Sequence, residues 1–230
     1  MFHVEQRGAL DHLLQESSKA IGVPIGQDQN RLFLVYLDQL KAWNQSFNLT
    51  AITKDNEIII KHFIDSIAAF RAVSIEPGSH VLDIGSGAGF PGIPLKIVRP
   101  DLCMTLIEPA HKKSAFLHFI VGLLQLRNVN IFQGTLELFK DKHRPATLYD
   151  YLTTRALNPS LIFQKAHNFL GKYGKVIIYS AKPLDSTSHD KNWDLVSDYT
   201  FELPYSHGSR TISVLSHHSG GLSLTVPRGT

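Results

Sequence analysis

From residue 78 onward, short apolar runs bounded by turn residues alternate with stretches whose apolar positions recur at three and four. The runs at 80–84, 103–107, 129–132, 149–153 and 175–179 read as strands. Helices are expected from the glycine turn after residue 84 to about Val98, over 111–124, and from Asn158 or Pro159 through Leu170. A short segment at 135–139 and a polar loop at 140–146 separate the third and fourth strands. Two weaker runs, 199–203 and 211–215, are joined by 204–209 as a terminal β-hairpin. Strands with crossover helices between them imply an α/β fold with a mostly parallel, doubly wound sheet.

The first third has a different period. Residues 1–20 place Val4, Leu10, Leu13 and Leu14 on one helical side. A loop with Gly22, Pro24 and Gly26 ends that helix. Asp28 is positioned to cap a second helix containing Phe33, Tyr36, Leu37, Leu40 and Trp43. A third, at 55–73, carries Ile59, Phe63, Ile67 and Phe70. Glu76-Pro77-Gly78 then marks a boundary. The expected organisation is a helical extension at 1–77, an α/β domain at 78–216, and a polar, glycine-rich tail at 217–230.

Charge is uneven along this division. Residues 1–77 hold seven Lys/Arg and nine Asp/Glu, and the remainder holds sixteen and eleven. A basic α/β part fits an anionic partner. One cysteine, Cys103, excludes an intrachain disulfide framework and, in an apolar run, reads as a buried small hydrophobe. With no leader segment and no long apolar span, a cytoplasmic protein away from membranes is expected. Twelve histidines show no metal-ligand spacing, and no metal is expected. No nucleophile motif argues for covalent catalysis.

The densest signal is V-L-D-I-G-S-G-A-G-F-P-G-I-P at 81–94, an apolar strand, alternating glycines and a helix start. Free N–H groups at that helix start are expected to face a ligand. A dinucleotide fingerprint requires a third glycine at position 90, which is Phe90, and Asp83 would repel a pyrophosphate. No Gly-Lys-Ser/Thr follows, so a Walker loop fails as well. The pattern Asp83, Gly85, Gly87, Gly89 instead resembles motif I of class I S-adenosylmethionine-dependent methyltransferases, whose fold is Rossmann-like and whose sheet closes with a late hairpin. There an acid favours the cationic amino-acid part of the cofactor, directly or through water.

Other candidates follow from position. Glu108 ends the second strand, 23 residues past Gly85, where an acid reaches ribose hydroxyls; a solvated turn acid is the alternative. Glu137 follows the third strand, where the resemblance to methyltransferases implies a contact to the adenine ring or its exocyclic amine; a helix-start acid is the alternative. Arg155 follows the fourth strand, at the edge where open α/β sheets place ligands. His111, Lys112, Lys113, Lys96, Arg99, Lys140, Lys142, His143 and Arg144 are candidates for a phosphate-facing surface, each equally readable as plain surface charge.

The chain also carries W43-N44, N48-L49-T50-A51-I52-T53, H62-x-x-D65-S66, the P-G-I-P-L continuation of the glycine turn, L-I-E-P-x-x-K-K and T-R-A at 154–156. Together these resemble the bacterial small-subunit rRNA guanine-N7 methyltransferases (RsmG/GidB). The resemblance implies methyl transfer from S-adenosylmethionine to guanine N7 of 16S rRNA, on naked RNA or in the small ribosomal subunit, without a general base. It places cofactor contacts at Gly85, Phe90, Leu136, Glu137 and Arg155, with Asp83 and Glu108 in support. Where the family usually reads G-R-A-E, this chain has Gly134-Thr135-Leu136-Glu137, and Pro109 replaces a usual small polar residue. Two alternatives stay open: a class I methyltransferase for a small molecule or protein, and a non-catalytic RNA-binding assembly factor.

Overall fold

The computed structural model describes residues 2–142, 148–155, 158–184 and 192–217. Its centre is a seven-stranded sheet of order β3-β2-β1-β4-β5-β7-β6. The strands are β1 (His80–Ile84), β2 (Cys103–Glu108), β3 (Val129–Gln133), β4 (Tyr149–Arg155), β5 (Leu170–Ser180), β6 (Trp193–Glu202) and β7 (Ser209–His217). Strands β1 to β5 pair in parallel, while β7 is antiparallel to both β5 and β6. The order reverses at β1 and β4, which are neighbours, and such switch points open a crevice at the carboxyl edge.

Alternation along the strands feeds two apolar layers. Val81, Met104, Leu106, Tyr151, Ile177 and Tyr179 join one, with the helices α1 (Phe2–Ala20), α2 (Gln27–Phe47), α3 (Asp55–Ile58), α4 (Asp65–Ile67), α5 (Ala69–Ala72), α6 (Gly92–Val98) and α7 (His111–Leu123). Leu82, Ile84, Ile107, Leu152, Val176 and Ile178 join the other, with α8 (Leu136–Lys142) and α9 (Pro159–Ala166). By the same parity, Asp83, Glu108 and Arg155 stand on the side of the first layer.

The 1–77 segment is packed into that layer. Tyr36, fully buried on α2, donates its hydroxyl to the Ala88 carbonyl at 2.5 Å, inside the glycine turn. Its ring stacks with Phe63, Phe90 and Phe116. Leu14 is fully buried, and Leu10 and Leu13 pack against the same cluster.

Several local expectations change. Asp28 does not cap α2; the helix begins at Gln27, and Gln29 Oε1 accepts the Gly26 amide at 2.8 Å. A longer side chain one turn in reaches back where Asp28 already lies inside the helix. The expected helix at 55–73 is interrupted by a π-helical stretch, Ile59–Ile64, and by Ala68 between α4 and α5. The helix after β4 stops at Ala166, because Leu170 already pairs with Tyr149. Asn158 caps it, accepting the Ser160 amide at 3.0 Å. Cys103 is half-buried rather than buried. The hairpin strands run longer than expected, and β7 continues through His217; residues 218–230 of the expected tail lie outside the described residues.

Tyr36→Phe keeps the ring stack but leaves the Ala88 carbonyl without its donor. Unfolding in urea is expected to show a loss of about 1–3 kcal/mol.

Candidate functional site

The glycine turn between β1 and α6 is closed by its own backbone. Gly85 and Ser86 donate to the Ile107 carbonyl at 2.9 and 3.0 Å, Gly89 and Phe90 to the Ser86 carbonyl, and Ile93 to the Gly89 carbonyl. The Gly92 amide donates to Asp83 Oδ2 at 3.0 Å. Free helix-start amides facing a ligand are therefore not found here. The helix has seven residues, its third is Pro94, and a buried carboxylate caps its first amide. This turn does not form a phosphate cradle.

Close approach explains two glycines. A Cβ on Gly92 would lie 2.5 Å from Leu106 Cδ2 and 2.7 Å from Asp83 Oδ2. One on Gly89, at φ +102°, would meet Ile93 Cδ1 at 2.5 Å and the Tyr36 hydroxyl at 2.7 Å. Gly87 differs: its amide donates outward, to Glu108 Oε2 at 2.8 Å.

Each acid has a distinct setting. Asp83 is fully buried, and its Oδ1 has no hydrogen-bond partner. Burial pushes this carboxyl up to about 7, against Ser86, the Gly92 amide and the Arg155 charge. Glu108 is buried at the end of β2, and its Oε1 accepts the Ala110 amide at 2.8 Å. It joins the turn to the start of α7 instead of standing in solvent.

On the other side of the sheet edge is a cavity of about 210 Å³. Ile84, Gly85, Ile107, Leu136, Leu161 and Ile162 give it apolar walls, and Glu137, Asn158 and Lys165 contribute polar groups. Glu137 lies in the first turn of α8 and is ion-paired with Lys165. That hydrogen bond holds the Glu137 carboxyl down to about 2. Gly85, Leu136 and Glu137 are thus brought together, and Arg155 is not among them.

Arg155 ends β4 and points to the helical side. Its Nη1 donates to the Lys61 carbonyl at 3.3 Å and to Asp65 Oδ2 at 3.4 Å, and its Nη2 lies 3.0 Å from His62 Nδ1. Phe90, 4% exposed, stacks on His62 at 4.4 Å, with the guanidinium over the Phe90 ring at 5.1 Å. Because Arg155 can only donate, His62 Nδ1 accepts, and His62 Nε2 carries the proton toward Thr50 Oγ1 at 2.8 Å. Burial, then the Arg155 charge, lowers His62 to about 3, so the ring is neutral. Asn44 pairs both backbone groups of Thr50, at 2.9 and 3.0 Å.

Thr50, His62 and Asp65 carry no role from strand and helix period alone; the signal was their place in the W-N, N-L-T-A-I-T and H-x-x-D-S strings. They converge because the π turn swings His62 and Asp65 onto Arg155.

Some cationic candidates are structural. Lys96 is buried, with Nζ donating to the Pro100 carbonyl at 2.8 Å and to the Leu102 carbonyl, so it does not face phosphate. Arg99 bonds Asp101 and the Ile75 carbonyl. His111, Lys112 and Lys113 lie at the start of α7, with His111 and Lys112 exposed, Lys113 partly so, and Lys112 5.6 Å over the Phe47 ring. His143 and Arg144, and the side chain of Lys142, lie outside the described residues. Among the described residues, no group of three His, Cys, Asp or Glu could hold a metal ion, and no helix is long and apolar enough to cross a membrane.

Sheet order, antiparallel closing hairpin and glycine turn define a Rossmann-like methyltransferase fold. TrmN from Thermus thermophilus superposes with a TM-score of 0.57 at 13% identity, over 67% of this chain and 48% of that one. Precorrin-6y C5,15-methyltransferase from Geobacter metallireducens GS-15 gives 0.50 at 13%, over 75% and 92%. The profile of the GidB family, rRNA small subunit methyltransferase G, matches residues 29–212, and the chain belongs to that family. Ribosomal RNA small subunit methyltransferase G of Caldanaerobacter subterraneus subsp. tengcongensis is 34% identical over 181 residues, 78% of this chain and 76% of that protein. The Desulforamulus reducens protein of the same name is 30% identical over 210 residues, 88% of each.

The Asp83 setting predicts a pH dependence. A carboxyl raised from 3.8 to about 7 binds more protons folded than unfolded, so stability falls as pH rises across that range and levels off above it. His62, lowered from 6.5 to about 3, slopes the opposite way, so the difference between wild type and Asp83→Asn isolates the acid. Asp83→Asn is expected to gain stability relative to wild type from pH 4 to 7, read from urea midpoints at each pH.

Proposed function

We propose that this protein transfers a methyl group from S-adenosylmethionine to guanine N7 of 16S rRNA in the small ribosomal subunit. The observation that carries the reading is family membership across residues 29–212, which includes the glycine turn, the Glu108 strand end and Arg155.

The residues fit such a cofactor. It has no phosphate, and the turn offers no phosphate cradle. Ile107, Leu136, Leu161 and Ile162 wall a slot suited to an adenine ring. Gly85 lets the backbone come close, and Glu137 lies beside the slot for the exocyclic amine. Glu108, reached through Gly87, is the acid for the ribose hydroxyls. Asp83 Oδ1 is a buried acceptor in want of a donor, which the cofactor's ammonium supplies, directly or through water. Gly89 and Phe90 hold the turn against Tyr36 and His62, and Arg155 stands between the turn and the helical side.

When bound, the cofactor supplies a methyl group activated on sulfonium. Guanine N7 has an in-plane lone pair outside the aromatic sextet, so no proton must leave before attack. The protein's work is alignment and exclusion of water. That suits a site whose histidine is kept neutral and whose exposed acid is ion-paired.

Undermethylated small subunits given labelled S-adenosylmethionine should take up methyl into RNA. Borohydride and aniline should then cut the chain at the modified guanine. Label in protein but not RNA overturns the reading. Leu136→Trp, filling the slot, should raise the cofactor Kd by roughly tenfold or more in calorimetry.

Lys112 and Lys113 extend the same edge as a phosphate-facing surface, with Phe47 and Phe119 exposed nearby. In Lys112→Gln/Lys113→Gln, cofactor affinity should hold. The dependence of log K for RNA on log salt should flatten by about 0.7–0.9 for each phosphate the variant no longer neutralises.

A further inference from the structure

On the helical side of β4, outside the cofactor slot, is a cleft of about 410 Å³, a size suited to a small ligand. Lys61, His62, Asp65, Arg155, Tyr179 and Arg210 line it. Among its lining residues Asp65 is the single acid, 3% exposed, and its Oδ1 has no hydrogen-bond partner. Arg210 Nε stands 3.9 Å from that oxygen, an ion-pair distance without a hydrogen bond. A buried acceptor left in this state is unfavourable, and a ligand donor relieves it. Arg155 lies beside it, Nη1 3.4 Å from Oδ2. Its bonds to Lys61, Asp65 and His62 take three of the five guanidinium N–H donors and leave two.

We propose that Arg155 and Asp65 together read the Watson–Crick edge of the target guanine. The inference rests on the guanine-N7 reading above and adds how the base is chosen. Guanine presents O6, an acceptor, next to N1–H and the N2 amine, both donors. The pair presents a donor beside an acceptor in the matching order. Adenine presents the reverse, an amine donor next to an N1 acceptor, and so meets a donor with a donor and an acceptor with an acceptor. Hypoxanthine keeps O6 and N1–H and lacks the amine. A base held by this edge leaves N7, on the Hoogsteen edge, uncovered. His62, fixed as a neutral ring between Thr50 and Arg155, positions the guanidinium. Arg210 and Lys61, part-exposed at the same cleft, supply positive charge for the nucleotide's phosphate. Arg210 donates Nη1 to the Ser209 carbonyl at 2.7 Å and reaches Asp65 only by the long Nε contact, so turning Nε away from Asp65 admits the base.

The test uses full-length protein saturated with S-adenosylhomocysteine, so that mononucleotides cannot enter the cofactor slot. GMP, IMP and AMP are titrated by calorimetry. Wild type should bind GMP roughly tenfold or more tighter than IMP, as loss of a charge-assisted bond implies, with AMP weaker still. In Asp65→Asn the GMP-to-IMP ratio should fall toward one while S-adenosylhomocysteine affinity holds. A purely structural Asp65 would weaken both nucleotides alike and leave the ratio unchanged. Equal wild-type affinity for GMP and IMP, no GMP binding at millimolar concentration, or an unchanged ratio in the variant overturns the proposal. The wild-type comparison decides it even if the variant fails to fold. Failure of the underlying reading appears separately, as absence of methyl transfer to rRNA by wild type.

Discussion

The site depends on one buried contact, the Gly92 amide on the Asp83 carboxylate. A strand end, a tight turn and a helix start are pressed together until no Cβ fits between them. The carboxylate there does what an anion does at other helix starts: it caps the orphan amide and occupies the positive end. An external phosphate finds neither a free amide nor an uncompensated dipole. One acid before the glycines thus takes the place that a phosphate would need. The same burial raises the carboxyl and leaves Oδ1 without a donor, an unfavourable state for a buried polar group.

The turn is also held from above. Tyr36 bonds its backbone, and Phe90 is stacked between Tyr36 and His62. Arg155 then ties β4 to the π turn through Lys61, His62 and Asp65. The 1–77 segment is in consequence a wall of the site. A π-helical stretch in such a place is a common device at functional positions, since the extra residue per turn displaces side chains from regular helical spacing. Here it presents His62 and Asp65 to one guanidinium.

Much of this was legible because it depends on local pattern. Short apolar runs bounded by turn residues, with the glycine spacing, carry the strands, the turn and the hairpin. The missing glycine at Phe90 and the acid at Asp83 separated one cofactor class from another. What failed was direction. Lys96 reads as a surface cation, yet its stem runs inward and its ammonium binds two carbonyls. Glu108 stands at the position expected of it, but sequence cannot say that its carboxylate crosses to Gly87. The π turn is invisible, because Ile59, Phe63 and Ile67 match ordinary helical spacing. Arg155 is expected at the sheet's carboxyl edge and stands there, but its partners lie about ninety residues away and no local pattern joins them.

Strand parity settles how these parts divide the work. Successive residues at a strand end face opposite sides of the sheet. Ile84 and Ile107 line the slot, while Asp83, Glu108 and Arg155 stand on the helical side. A ligand spread across the carboxyl edge therefore meets an apolar slot at one end and buried acids at the other. Between them lies a turn closed by its own hydrogen bonds and clamped by aromatic rings. In the proposed transfer to guanine N7 no proton has to move, so alignment is the remaining lever on rate, and a closed turn serves it. The close contacts around Gly89 and Gly92, where a single methyl would not fit, hold the turn in the one place that the proposed alignment needs it.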